Sequence, residues 1–311
     1  MGYSVKIKIL VLLLAISMFT QVFSENNSFE NLIKELEEIP ELSLCIIKNN
    51  KDIIFEKDSE KLLSVGSSFK LYVLKAITDM VDIRKASWHK TLYIRDNEKS
   101  LPAGILQKWP NMSPVTIKTL ANLMISISDN TATDILIDYI GRENIQNITP
   151  RPKQAILKTS EMFKLKLSEN KNLSKNFISS NDKYQLQILD SLAKTPLPDI
   201  SKVSQWNSPI EINTIEWFFS TKELCRVIFD LKDSDILRIN DSGLTTDNWD
   251  FVGYKGGSEP GVLNLTYVLK KGNDIYTLSI TANNSEKSFD FNKVFKKVSE
   301  LLNILFIHEV Q

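Results

Sequence analysis

Three short runs of the sequence carry side chains that can do chemistry together: Ser67-Ser68-Phe69-Lys70, Ser128-Asp129-Asn130 and Lys255-Gly256-Gly257-Ser258. A serine hydroxyl is a weak nucleophile until a base takes its proton. A lysine becomes such a base when burial or a second cation lowers its proton affinity. The stretch 64–74, SVGSSFKLYVL, reads as the start of an apolar helix, and residues three apart on a helix share a face. Lys70 therefore falls beside Ser67. The first turn of a helix also presents unpaired N–H groups and a positive field to developing negative charge. Ser128 offers a hydroxyl that can relay a proton, Asn130 an amide that can hold a carbonyl, and Lys255 a second cation. Gly256 and Gly257 let a substrate approach a strand backbone closely, and Ser258 follows with a hydroxyl of its own.

Each run alone has an ordinary structural use. The S-x-x-K pattern recurs at Ser67, Ser87, Ser168, Ser180 and Ser191, so the two letters decide nothing by themselves. Ser67 would serve as a helix cap, Ser128-Asp129-Asn130 as a helix-end turn and Lys255-Gly256-Gly257 as a hairpin. Their order along one chain, at strand–helix–strand junctions, is what singles them out. Histidine sharpens the choice of base. His89 and His308 are the two in the sequence, and neither stands in a nucleophile–base pattern. Cys45 and Cys225 have no neighbours at metal-ligand spacing and there is no H-E-x-x-H, so no metal and no organic cofactor is expected. The two cysteines read as buried free thiols, with a disulfide between them as the alternative.

The elements that must position these residues follow from periodicity. LSLCII (42–47) and DIIFE (52–56) flank Lys48-Asn49-Asn50-Lys51 as a hairpin. Helical signals dominate from 67 to about 230, including SPVTIKTLANLMISIS at 113–128 and a capping box at Ser220 and Glu223. After residue 248 the pattern changes to three strands, WDFVGYK, VLNLTYVL and IYTLSIT, with tight-turn residues at 271–274 and a closing helix over about 286–306. The expected class is α/β of the α+β kind. A five-stranded antiparallel sheet drawn from both chain ends is flanked by terminal helices, beside an all-helical lobe. The α/β lobe takes 25–66 and 248–311, the helical lobe 67–247, and the crevice between them is where a site belongs.

Composition sets the setting. The 311 residues are 42% hydrophobic and 24% charged with zero formal net charge, and no basic stripe is present, so nucleic acid is not an expected partner. Lys6 and Lys8 precede an apolar run, 9–19, and Val22-Phe23-Ser24 precedes a polar start at Glu25. This has the parts of a signal peptide over 1–24, shorter than the ~20 apolar residues a span needs. The expectation is a periplasmic or secreted protein with no stable membrane span after cleavage; an uncleaved anchor is the alternative.

With these motifs the chain resembles the class A serine β-lactamases and the related penicillin-binding enzymes. GSSFKLYVL is similar to their nucleophile motif, MISISDNTATDILI to the second and VGYKGGSEPGVLN to the third. The resemblance covers nearly all of residues 25–311 in order. It implies that Ser67 is acylated with Lys70 as base, and that Ser128 passes the proton to the leaving amine. Asn130 would bind substrate, Lys255 would assist Ser128 and the substrate carboxylate, and the Ser67 and Ser258 N–H groups would form the oxyanion hole. The implied partner is a small β-lactam or a cell-wall peptide. A D-Ala-D-Ala peptidase, transpeptidase or esterase, or a non-hydrolysing penicillin sensor, would share the scaffold.

Two departures from the family pattern stand out. Gly256 occupies the place of a Thr or Ser whose hydroxyl helps hold the substrate carboxylate. The family also places a Glu, with Asn four residues later, in the loop after the second motif to activate the deacylating water. Here Glu143 comes early after the helix, and Glu161 is followed by Leu165. The expectation is a shortened loop without that glutamate, and hence slow deacylation.

Overall fold

The computed structural model describes residues 29–36, 39–151, 155–169, 171–240 and 248–310. The expected signal peptide, 1–24, and its cut before Glu25 lie outside the described residues. Two compact units emerge, one from the chain ends and one from 40–289.

In the first unit, α1 (residues 29–34) and α11 (Phe291–Val310) bury Phe29, Ile33, Val294, Val298, Leu301 and Leu305 at helical spacing. Lys297 bridges to Glu35 at 2.7 Å. The closing helix begins later than its periodicity predicts. Asn284 accepts the N–H groups of Glu286 and Lys287, and Asp290 that of Asn292, so side-chain turns hold the chain until Phe291. Among the described residues no helix is long and apolar enough to cross a membrane.

The larger unit is built on the five-stranded antiparallel sheet. Its strands are β1 (Glu41–Lys48), β2 (Asp52–Lys57), β7 (Phe251–Glu259), β8 (Val262–Lys271) and β9 (Asp274–Asn283), in the order β2-β1-β9-β8-β7. Asn49 and Asn50 both take positive φ, +53° and +56°, in the turn closed by Lys51 N–H donating to Lys48 O at 3.0 Å, across which Lys48 pairs with Asp52. The sheet brings both ends of the sequence together at β1 and β9, where Leu44 faces Ile280. It leaves β7 at the edge.

Helices fill the middle of the chain: α2 (Lys70–Asp82), α3 (Ile117–Ser126), α4 (Asn130–Ile140), α5 (Arg142–Ile148), α6 (Thr159–Leu167), α7 (Lys171–Ser179), α8 (Asp182–Leu192), α9 (Ser201–Ser204) and α10 (Thr221–Asp230). The core runs through Leu71, Leu74 and Ile77 of α2, Leu120 and Met124 of α3, and Leu136 and Ile140 of α4. The α10 helix packs on β1, β8 and β9, and its capping box forms, with Glu223 N–H donating to Ser220 Oγ at 3.2 Å and Ser220 N–H to Glu223 at 2.9 Å. Cys45 and Cys225 are free and buried against each other, and the Cys225 thiol donates to Cys45 O at 3.4 Å.

The helical region is not purely helical. Two small ladders pair β3 (Leu63–Ser64) with β6 (Phe218–Phe219), and β4 (Thr91–Ile94) with β5 (Ser113–Thr116). Strands of two to four residues are too short to show a period. SPVT is thus strand rather than helix, and Thr116 caps α3 by accepting Thr119 N–H at 3.1 Å.

Candidate active site

Ser67 stands in a single 3-10 turn, Gly66–Phe69, that runs directly into α2. The turn has no side-chain cap, so the capping use of Ser67 is not realised. Residues three apart eclipse in a 3-10 turn, which stacks Lys70 on the side of Ser67. Among the described residues the Ser67 hydroxyl makes no hydrogen bond to Lys70, whose Nζ turns to Ser128 and Asn130. Trp217 holds the turn from outside. Its carbonyl accepts Val65 N–H at 3.0 Å, and its indole stacks on Phe69 with ring centres 4.0 Å apart.

Strand β7 lies against this turn. A Cβ on Gly257 would run into Val65 O and the N atoms of Ser67 and Ser68, and a Cβ on Gly66 would come within 3.2 Å of Ser258 N. The N–H groups of Ser67 and Ser258 are thereby brought to one edge. The lysine-glycine run does not end the strand, as its hairpin-like composition predicts; β7 continues through Glu259. Its glycines serve close approach instead.

The second motif is a turn between α3 and α4. Ser128 has φ +57°, a left-handed conformation that costs a non-glycine residue ~1–2 kcal/mol. Asp129 fixes the turn by accepting Ala132 N–H at 2.8 Å, Ile105 N–H at 2.7 Å and Leu106 N–H at 2.9 Å. Lys70 Nζ then meets Ser128 O at 2.8 Å, Ser128 Oγ at 3.1 Å and Asn130 Oδ1 at 2.7 Å. Lys255 Nζ reaches the same Ser128 Oγ at 3.2 Å and also bonds Gly256 O. One hydroxyl is shared by two buried lysines.

Burial, then repulsion from Lys255, holds the Lys70 ammonium well below the ordinary lysine range; Asp134 and Asp129 oppose this. Burial pulls Lys255 down to about 7. Lys70 Nζ donates to Ser128 O, Ser128 Oγ and Asn130 Oδ1, and Lys255 donates to the same Ser128 Oγ, so a fall in the charge of either lysine frees a lone pair next to that hydroxyl.

Ser67, Asn130 and Ser258 open on a cleft of about 220 Å³ that Thr159 and Trp217 also line. Lys70, Ser128 and Lys255 stand behind that surface. The three sequence motifs, separated by about sixty and then about 130 residues, converge here.

A model of the beta-lactamase enzyme family matches residues 26–194, more than half of the chain. The chain belongs to the beta-lactamase enzyme family. Beta-lactamase BRO-1 of Moraxella catarrhalis is 24% identical over 128 residues, which are 39% of this chain and 41% of that enzyme, so the match spans less than half of the relative's length. The beta-lactamase of Sphaerobacter thermophilus has the same fold, with a TM-score of 0.61, 15% identity and coverage of 94% of this chain and 98% of that one. PBP-A is alike at a TM-score of 0.57 and 15% identity, covering 91% and 95%, and a mutant of PBP-A is described as an acyl-enzyme complex with penicillin G.

Against the beta-lactamase pattern the two departures now have structural form. A Cβ on Gly256 would collide with the Tyr254 hydroxyl, so a tyrosine from the same face of β7 fills the space where a Thr or Ser side chain would begin. Neither loop glutamate lines the cleft. Glu143 is exposed in the first turn of α5. Glu161 is buried as a strut, accepting Lys158 N–H at 2.6 Å and pairing with Arg142 at 2.6 Å. The sequence reading missed a buried set beside the cleft, Lys166, Glu216 and Glu259, of which the two glutamates line it. Only Glu259 left a trace: it has the strand parity of Lys255 and Gly257.

Proposed function

We propose that the protein is an exported serine hydrolase that opens the β-lactam amide through an acyl-enzyme at Ser67. The observation that carries this reading is the Ser128 hydroxyl held between Lys70 and Lys255, both buried and both depressed in proton affinity, behind a cleft lined by Ser67. Ser67 Oγ attacks the carbonyl carbon as Lys70 Nζ takes its proton. The N–H groups of Ser67 and Ser258 receive the developing oxyanion, a role worth about 3–4 kcal/mol per donor where such donors have been removed. The C–N bond then breaks, the ring nitrogen takes the Ser128 proton, and Lys70 returns a proton to Ser128. Asn130 holds the substrate's side-chain amide, and Lys255 faces its carboxylate, with Gly257 letting β7 close against the Ser67 turn. Export is supported by the signal-like run before Glu25.

Intact-mass measurement after incubation with a penicillin tests this directly. An adduct of the penicillin's mass is expected on the wild-type chain and absent from Ser67→Ala. Labelling that survives in Ser67→Ala would refute the assignment, and Ser68→Ala, whose hydroxyl is buried away from the cleft, should label normally.

A further inference from the structure

Beyond Ser258, strand β7 carries one more residue of the face that meets Ser67. Alternation puts 255, 257 and 259 on one side, each step of two advancing about 6.6 Å. Gly257 lies against the Ser67 turn, so Lys255 and Glu259 flank that turn on opposite sides. The two flanks differ in kind. Lys255 shares a hydroxyl with Lys70, whereas Glu259 belongs to a buried ionic set. Lys166 Nζ, from α6, bonds Glu259 Oε1 at 2.6 Å and Glu216 Oε1 at 2.8 Å, and Glu216 Oε2 accepts Trp217 N–H at 3.2 Å. The side chains of Lys166 and Glu216 are fully enclosed, and that of Glu259 retains 6% exposure. Glu259 and Glu216 are the acids that line the cleft shared with Ser67, among the described residues.

Two carboxylates thus face one ammonium in a nearly dry pocket. Burial, then the charge of Glu216, holds the Glu259 carboxyl well above the usual carboxylate range, with Lys166 opposing. A carboxylate of raised proton affinity is suited to take a proton from water, which an ordinary surface glutamate is not.

We propose that Glu259 is the general base that activates water for hydrolysis of the acyl-enzyme, taking the place of the absent loop glutamate, with Lys166 and Glu216 positioning its carboxylate. The inference rests on the acyl-enzyme at Ser67. Water oxygen attacks the acyl carbonyl carbon as Glu259 takes one of its protons. The tetrahedral oxyanion sits at the N–H groups of Ser67 and Ser258. The bond from carbon to Ser67 Oγ then breaks, the serine oxygen takes the proton back from Glu259, and the free acid departs. One water is consumed and Ser67 and Glu259 are restored.

The test compares wild type with Glu259→Gln in a time course of intact mass after a penicillin pulse, alongside stopped-flow hydrolysis of a chromogenic cephalosporin. Acylation of Glu259→Gln should stay within about threefold of wild type while decay of the adduct slows by ~10²–10⁴. Glu259→Asp keeps the charge on a shorter arm and should show the same split in milder form, which keeps the test open if the glutamine variant folds poorly. Adduct decay at the wild-type rate in these variants, or an equal fall of both steps, would overturn the role of Glu259 alone. Absence of both adduct and hydrolysis in the wild-type chain would overturn the acyl-enzyme reading, and this inference with it.

Discussion

Lys70 and Lys166 are both buried beside the cleft, and their surroundings differ in sign. Lys70 is ringed by a carbonyl, a hydroxyl and an amide oxygen, with Lys255 on the far side of Ser128. Lys166 sits between two carboxylates, with the Trp206 ring 5.5 Å from its Nζ. Burial disfavours the charge on both. At Lys70 the nearest cation adds to that effect and proton affinity falls well below normal. At Lys166 the attraction of Glu216 and Glu259 outweighs burial and proton affinity rises. Burial alone therefore does not make a lysine a base. The sign of its neighbours decides whether it moves a proton or holds one.

The same substitution at both lysines sharpens the contrast most. Lys70→Met should fold and lose acylation by ~10²–10⁴, the usual worth of a positioned general base, because it removes a charge that burial already disfavours. Lys166→Met leaves two buried carboxylates without their cation, and removing one partner of a buried ionic set costs about 3–5 kcal/mol. Denaturant melts read beside penicillin labelling check both arms. A Lys70→Met protein that is strongly destabilised, or a Lys166→Met protein as stable as wild type, would break the comparison.

The pair Lys70–Lys255 makes a prediction in pH. In the proposed mechanism Lys70 acts as a base when neutral, so acylation should rise as it loses its proton. In that mechanism Lys255 serves the substrate carboxylate when charged, and burial pulls its proton affinity down to about 7. The sign is fixed: its charge is present below that pH and lost above it. The value of kcat/KM should therefore pass through a maximum and decline as pH rises through about 7. Lys255→Arg keeps its charge across the accessible range and should remove the declining limb, at some loss of absolute rate from altered geometry. A decline unchanged in Lys255→Arg would assign that limb to another group.

Much of this site is legible in the sequence because its parts are local. Ser67 and Lys70 are three apart, Ser128 to Asn130 fill one turn, and Lys255 to Ser258 fill half a strand. Hairpins at Asn49-Asn50 and Gly272 and the capping box at Ser220 are likewise set by neighbours within a few residues. Two kinds of feature escape. Ladders such as Leu63–Ser64 with Phe218–Phe219 pair strands too short to carry a period. The Lys166–Glu216–Glu259 set joins residues 50 and 93 positions apart, and nothing beside Lys166 distinguishes it from a surface lysine of an amphipathic helix. Letters alone do not decide a residue that suits two uses. Glu161 is an acid in the segment after the second motif, and the structure spends it on closing the first turn of α6.

That assignment has a smaller effect attached. Glu161 accepts a backbone N–H and an Arg142 N–H inside the protein, so Glu161→Gln weakens two charge-assisted bonds and should cost about 1–3 kcal/mol. Adduct decay should not change, in contrast to Glu259→Gln. Equal effects of the two substitutions on decay would return the catalytic role to α6.

The smallest effect belongs to the far end of α10. Ser220 Oγ accepts Glu223 N–H at 3.2 Å, and the Glu223 carboxylate accepts Ser220 N–H at 2.9 Å while also pairing with Arg151. Ser220→Ala removes one acceptor and leaves the reciprocal bond in place. The expected loss is about 1 kcal/mol, the usual cost of deleting an N-cap. Because α10 packs on β1, β8 and β9 and contributes nothing to the lining of the cleft, acylation and adduct decay should both stay at wild-type rates. Ser220→Asp, which restores an acceptor at the same position, should recover most of the stability. Altered adduct decay in Ser220→Ala, with folding intact, would mean that the sheet transmits strain from α10 to β7, and the separation of scaffold from site drawn from the two lysines would have to be redrawn.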